Sequence, residues 1–202
     1  MTATAPAPRR RGRPGHDLGS VQDAAVALFI ERGFDGTSID DLARRLGISK
    51  SAVYHHISSK DALLGDVLDV ALAGIEAVVD EVRASDGPAL DRLVALVRGS
   101  VVVLVERLPY VTVLLRVRGN SEVERQALAR RRRLDRLAAD LVRGAVDAGD
   151  LRPDVDPALT ARLLFGTVNS LTEWLKPGAR HDADALAAAV VTTVFDGLRT
   201  TR

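Results

Sequence analysis

The sequence predicts an all-α fold of nine helices. From Leu18 onward apolar residues recur at spacings of three and four, and no stretch sustains a period-two alternation. Gly and Pro interrupt this pattern at Gly33, Gly36, Gly47, Gly87-Pro88, Pro109, Gly119, Gly149, Pro153, Pro157 and Pro177-Gly178. The breaks give helices over 19–32, 38–45, 49–55, 59–84, 88–106, 110–117, 121–148, 156–175 and 182–199. The first three are short and closely spaced, the others longer, and composition changes near the start of the fourth.

A chain of 202 residues, 47% of them hydrophobic, can bury a real core in one or two domains. Its 28 basic and 27 acidic residues leave a net charge of +1, so any attraction to nucleic acid must be local. The absence of cysteine excludes disulfide scaffolds, thiol catalysis and Cys-ligated metal sites. The longest aliphatic run, Val101 to Val105, is far short of the ~20 residues that span a bilayer. No apolar segment follows the N-terminal arginines, so a secretory signal is not expected. These features predict a soluble, cytoplasmic protein with no membrane partner. Aromatics at 3% disfavour a reader of single strands that works by base stacking.

Residues 1–16 carry Arg9, Arg10, Arg11 and Arg13 among Pro, Ala, Gly and Thr, and read as a disordered basic arm. Residues 17–64 hold the short helices and 65–202 the long ones. In the first helix Val21, Ala24, Ala25, Leu28 and Phe29 share one face, and Gly33 sits where a helix commonly ends. Thr37-Ser38-Ile39-Asp40 fits a helix start, with Thr37 as cap. Ile39, Leu42, Ala43 and Leu46 then face inward. Gly47 makes a tight turn, Ile48 fills the corner and Ser49 caps the third helix. There Val53 and Ile57 are inward anchors at i and i+4, which leaves Lys50, Ser51, Tyr54 and His55 pointing out. Ser58-Ser59-Lys60-Asp61 starts the fourth helix.

Two short helices joined by a glycine turn, the second polar outside, form a helix-turn-helix. Lys50 and Ser51 at an exposed helix start can reach base edges in the major groove. Tyr54, His55 and Lys60 can reach flanking phosphates, and the helix starts at Thr37 and Ser59 offer free amides. Segment 37–60 has four Lys or Arg against two Asp. Each cap taken alone fits an ordinary helix corner better; the constellation is what points to DNA. Asp41-Leu-Ala-Arg-Arg-Leu-Gly-Ile-Ser-Lys-Ser-Ala-Val-Tyr-His-His-Ile-Ser-Ser-Lys-Asp-Ala-Leu-Leu64, with Ala24-Ala25-x-x-Leu28-Phe29-x-x-x-Gly33-Phe34-x-Gly36-Thr37-Ser38 before it, resembles the DNA-binding signature of TetR-family transcriptional regulators. The likeness runs over 18–68 without a gap. It departs at His56-Ile57, where His-Phe is commoner. It implies an all-α homodimer that binds a double-stranded operator through this segment and a small-molecule effector through the domain behind it. The family's DNA contacts fall on Thr37, Ser38, Lys50, Ser51, Tyr54, His55, His56 and Lys60. Arg11-Gly12-Arg13-Pro14 resembles an AT-hook core, whose arginines enter the narrow minor groove of A·T tracts. A solvated tail is the other reading of that arm.

In the long-helix segment, Leu163 to Thr172 and Ala185 to Phe195 carry no charge. A helix apolar all round must be covered all round. Helices eight and nine are therefore assigned to a two-fold interface forming a four-helix bundle between two copies. The alternative is that both are core within one subunit. Helices five to eight should enclose a ligand pocket, with Tyr110, Leu114, Phe165, Asn169 and Trp174 as lining, and Leu104, Leu108, Leu137 and Leu141 as further candidates. Most of these would be plain core in any helical protein. Asn169 stands out as an amide that is costly to bury without a partner. Arg130 to Arg133 could bind an anionic ligand, but Arg136–Asp140 and Arg143–Asp147 at i,i+4 favour a solvated helix face. Asn169-x4-Trp174-x2-Pro177-Gly178 with that arginine run resembles TetR-type regulators of fatty-acid, steroid or phenylacetate breakdown, which implies an acyl-coenzyme A thioester as effector.

The chain has no G-x-G-x-x-G, P-loop, H-E-x-x-H or G-x-S-x-G motif, so no enzyme, cofactor or metal is expected. The competing reading is an effector-free DNA-binding or architectural protein, which would need a smaller C-terminal part. The switching expected from sequence is a lever: helix 59–84 links Lys60 to a pocket end near Val79, pushed by ligand against Tyr110, Asn169 and Trp174.

Overall fold

The computed structural model describes residues 17–176 and 182–196, and every regular element among them is helical. The helices are α1 (Leu18–Arg32), α2 (Ile39–Leu46), α3 (Lys50–Tyr54), α4 (Lys60–Ala84), α5 (Ala89–Glu106), α6 (Leu108–Arg116), α7 (Glu122–Asp147), α8 (Pro157–Ser170) and α9 (Ala183–Phe195). The expected extension of the ninth helix to 199 lies outside the described residues. So do the basic arm, with Arg11 and Arg13, and Pro177-Gly178.

Polar caps set most boundaries. Asp17, Ser49, Ser59, Ser121, Asp156 and Asp182 each accept an amide three residues on, which satisfies one orphan donor of the first turn. Gly47 adopts the left-handed conformation at φ 68° and ψ 31° that ends α2 and sets up the turn into α3. The cap of α2 differs from expectation. Ser38, not Thr37, holds it, in a reciprocal box with Asp41. Helix α6 begins before Pro109 rather than after it, because a proline in the first turn lacks only an amide that would be unpaired anyway. Helix α8 stops at Ser170 and passes into a 3-10 turn, Leu171–Glu173, instead of running to 175. The hydroxyls of Ser170 and Thr172 donate to the carbonyls of Thr167 and Asn169 there, an alternative to continued helix.

Helices α1 to α3 form one end of the molecule around Val21, Ala25, Leu28, Phe29, Leu42, Val53 and Ile57. Helix α4, about 38 Å long at 1.5 Å per residue, leaves that end and packs on α1, α5, α6 and α7. Helix α5 is central; its Leu93, Leu96, Val97 and Val101 are fully buried between α4, α7, α8 and α9. The core is continuous from Val21 to Phe195, without a break at residue 64.

Helices α4 and α5 approach closely through a reciprocal pair. A methyl group on Gly74 of α4 would stand 2.8 Å from Val103 Cγ1, and one on Gly99 of α5 would stand 2.7 Å from Val78 Cγ1. Each helix thus offers a bare backbone socket to a valine of the other.

Helices α8 and α9 each bury one face and expose the other. Leu164, Val168, Ala187 and Val190 are core, while Leu163, Gly166 and Thr167 on α8, and Ala185, Ala189 and Thr192 on α9, face out. Both readings of these uncharged helices therefore describe part of them. Leu159 and Leu163 are 54% and 63% exposed, an unusual state for leucines on a helix that also carries a buried face.

Candidate nucleic-acid interface and effector pocket

The turn between α1 and α2 organises the DNA-reading end. Gly33 donates its amide to Phe29 and leaves α1 with unpaired carbonyls in its last turn. The Thr37 hydroxyl donates to the Gly33 carbonyl at 2.8 Å. Lys60 Nζ donates to the carbonyls of Phe34 and Thr37, both at 2.9 Å, and lies 4.2 Å from the centre of the Phe34 ring. Arg116, from the distant end of α6, donates to the Ile30 carbonyl at 2.5 Å. Arg116 and a buried hydroxyl thus close the C-terminal end of α1, where the helix dipole favours positive charge, and Lys60 fastens the turn that follows it.

These contacts redistribute the expected DNA-contact set. Thr37 is 4% exposed and its hydroxyl is engaged inward, so its side chain is a turn brace and not a surface donor. Lys60 is half-buried and points at the same turn. Ser38 is exposed, and its hydroxyl donates to Asp41 Oδ2 at 2.6 Å. Lys50, Ser51, Tyr54, His55 and His56 are all exposed along α3 and its end, with Tyr54 at 49%. Lys50 pairs with Asp40 at 2.9 Å, and that hydrogen bond raises the ammonium above its ordinary pKa and keeps it charged. Ser51 shares a hydrogen bond with the Ser49 cap at 2.9 Å.

Asp41 is held well below the usual carboxylate range, first by the Ser38 hydroxyl, then by the Ser38 amide and Arg44. A carboxyl depressed on folding adds stability that is complete above its unfolded pKa, about 4, and is lost as pH falls through the folded value. Asp41→Asn should therefore lower the denaturant midpoint at neutral pH. The gap from the unmutated protein should narrow steadily below about pH 4 and close only in strong acid. A gap that is constant with pH would remove Asp41 from the cap.

In the long-helix part, α4, α5, α6, α7 and α8 enclose a void of about 40 Å³ lined by Leu104, Leu114, Phe165, Val168 and Asn169 among others. Leu114, Phe165 and Asn169 are thus brought together as expected. Tyr110 and Trp174 are not. The Tyr110 hydroxyl turns away and donates to Asp23 of α1 at 2.8 Å. Burial and then that carboxylate push it up to about 12, so it remains a donor at neutral pH. Trp174 follows the 3-10 turn and is 57% exposed. Leu108, Leu137 and Leu141 are ordinary core.

A second, larger cleft of about 460 Å³ adjoins the first and shares Leu115, Arg131 and Asn169 with it. Its other walls include Arg116, Arg118 and Glu173. The arginine run of α7 is therefore not one solvated face. Arg130 makes a two-pronged pair with Glu76, at 2.9 and 2.8 Å, and a further bond to Asp69, which lowers Glu76 and ties α7 to α4. Arg131 faces the cleft. The expected Arg143–Asp147 pair is replaced by Arg143–Asp140 at 2.8 Å. Arg116 and Arg118 were not singled out from sequence; an Arg-x-Arg just before Gly119 is the only local sign of them. Glu124, 4% exposed, accepts the amides of Arg118, Gly119 and Asn120 at 2.9, 2.7 and 3.0 Å and fixes that segment.

Among the described residues no cluster of His, Cys, Asp or Glu could hold a metal, and no helix is long and apolar enough to cross a membrane. A short helix with an exposed polar face, carried by a capped glycine turn on a larger helical body, defines a helix-turn-helix DNA-binding protein. The chain belongs to the TetR family: residues 22–67 match "Bacterial regulatory proteins, tetR family" and residues 86–198 match "Tetracyclin repressor-like, C-terminal domain". The family is made up of DNA-binding regulators. Three relatives are similar over nearly their whole lengths. A crystal structure of a TetR-family regulator from Streptomyces coelicolor A3 is 45% identical, with a TM-score of 0.82 over 89% of this chain and 91% of that one. The HTH-type transcriptional repressor KstR2 of Rhodococcus jostii is 27% identical over 203 residues, 96% of each chain. AibR, solved in complex with isovaleryl coenzyme A and operator DNA, is 25% identical, with a TM-score of 0.74 over 88% of this chain and 97% of that one.

Proposed function

We propose that the protein is a homodimeric transcriptional repressor that leaves a palindromic operator when a small molecule, an acyl-coenzyme A thioester, binds between α5, α6, α7 and α8. The observation that carries the DNA-reading part is the exposed face of α3, held rigidly by Val53 and Ile57 beneath it. Residues 17–64 read DNA; residues 65–202 bind effector and dimerise through the outer faces of α8 and α9. Ser51 and Lys50 face base edges, and Ser38, Tyr54, His55 and His56 lie toward the backbone. The arm, with Arg11 and Arg13, adds a minor-groove contact. The naming of KstR2 as a repressor supports the direction of control, and the ligand in the AibR complex supports the effector class. The 40 Å³ void is too small for an acyl chain, so the ligand must select a more open arrangement. That differential affinity is what couples ligand to operator.

Selection from random duplexes should enrich an inverted repeat whose half-sites lie about one helical turn, ~34 Å, or a multiple of it apart. Ser51→Ala should change the preferred bases within the half-site, by about 1 kcal/mol of discrimination, the worth of one neutral hydrogen bond, and leave the spacing alone. Enrichment of no inverted repeat would refute the assignment. An operator complex that no thioester, free acid or apolar drug releases would favour an effector-free regulator.

A further inference from the structure

The arginine that tethers α1 also lines the effector cleft. Arg116 gives Nη1 to the Ile30 carbonyl, and the residue stands between a cleft against α1 and the 460 Å³ cleft that it lines with Arg118 and Arg131. Three arginines line it against one carboxylate, Glu173. Neither Arg118 nor Arg131 has a side-chain partner among the described residues that would neutralise it. Arg130 beside them is fully committed to Glu76 and Asp69. The cleft's volume falls within the ~300–1,000 Å³ of ordinary ligand sites, and it meets the apolar void at Arg131 and Asn169. One end of the combined space is apolar and the other is densely cationic.

We propose that this cleft is the anion subsite of the effector, that it takes a phosphate-bearing head group, and that the phosphate draws Arg116 off the Ile30 carbonyl. A guanidinium bonds a doubly charged phosphate more strongly than a neutral carbonyl. A lone carboxylate would need only one arginine fork, whereas three are supplied. When Arg116 leaves, the last turn of α1 loses its cap from the effector domain. The adjoining segment Gly33–Thr37 is the one that Lys60 and Thr37 fasten and that leads into the Ser38 cap of α2. Phosphate binding thus loosens the base on which the helix-turn-helix is set. The proposal rests on the effector reading given above and names the chemistry of that site's polar half.

The test compares acyl-coenzyme A species with the N-acetylcysteamine thioesters of the same acids, which keep the thioester and lack the phosphates. Calorimetric titration of the full chain should show the coenzyme A forms binding at least about tenfold more tightly, the least that a charge-assisted contact contributes. Arg131→Gln and Arg118→Gln should erase most of that difference. Arg116→Gln should lower affinity for the coenzyme A form, and without ligand it should bind operator as weakly as the ligand-saturated unmutated protein. Its amides over 33–38 should exchange as fast as those of the liganded form. Equal binding of both thioester series, or arginine variants that bind like the unmutated protein, would overturn the anion subsite and leave the effector reading intact. Arg116→Gln that loses ligand affinity yet keeps full operator affinity would overturn the exchange at Ile30. Failure of every thioester to bind the unmutated protein would overturn both this proposal and the effector class.

Discussion

Lys60→Met should destabilise the DNA-reading end by about 2–4 kcal/mol, because two hydrogen bonds from a charged donor are worth ~1.5–3 kcal/mol each and a cation over a ring adds about 1. The single contributions do not add fully, since all three share one ammonium. Methionine keeps the length and the apolar stem, so packing against Phe34 survives and the loss reports the charge. The carbonyls of Phe34 and Thr37 are then left facing a thioether that cannot donate. Urea unfolding followed by hydrogen exchange over α1 to α3 measures the effect. Operator affinity should fall with it, because the turn that carries Ser38 and α2 is no longer fixed. A lysine acting only as a phosphate contact would behave differently. It would leave the denaturant midpoint unchanged and reduce the salt slope of binding by about one. That result would return Lys60 to the DNA surface.

The second large effect is expected at Leu163. An arginine there meets solvent in the isolated subunit, where the leucine is already 63% exposed, so the fold should survive. In the dimer it would sit in the α8–α9 bundle as a charge without a partner, at a cost of several kcal/mol. Leu163→Arg should therefore sediment as a helical monomer. Its operator affinity should fall by about a thousandfold, since two linked half-site contacts gain 10²–10⁴ over one. Charges at Leu164 or Val190, buried at 2% and 7%, would test the subunit core instead and should unfold the chain. A dimer of undiminished stability in Leu163→Arg would move the interface elsewhere.

The helix-turn-helix was legible because everything that builds it is local. Gly47, the Ser49 cap and the Val53–Ile57 pair lie within a few residues of one another and leave only one face for DNA. The cap of α2 was ambiguous for an equally local reason: Thr37-x-x-Asp40 and Ser38-x-x-Asp41 are overlapping signals. The inward turn of Thr37 toward the Gly33 carbonyl decides between them. What the sequence could not carry is contact between distant segments. Tyr110 and Asp23 are 87 residues apart, and Arg116 and Ile30 are 86 apart, so no periodicity announces either tie. The same limit explains the pocket. The faces of α6 and α8 brought Leu114, Phe165 and Asn169 to one void. Tyr110 and Trp174 lie outside that void, because a helical face says which side is inward and not which neighbour it meets. The lever expected of α4 gains a companion in α6, which lines the 460 Å³ cleft and touches α1.

The paired sockets of Gly74 with Val103 and Gly99 with Val78 bear on how such regulators could exchange parts by recombination. A crossover that joins the α4 of one ancestor to the α5 of another must inherit both glycines and both valines in register. A larger residue at either socket forces the facing valine to shift, at 2.8 Å from Val103 and 2.7 Å from Val78. The heritable block is therefore not the stretch that follows residue 64 but α4 and α5 as a couple, together with the α6 that grips α1. Changes of sensory specificity in α7 or α8 would then have to spare the residues that pack on that couple, Arg130 with its Glu76 partner among them.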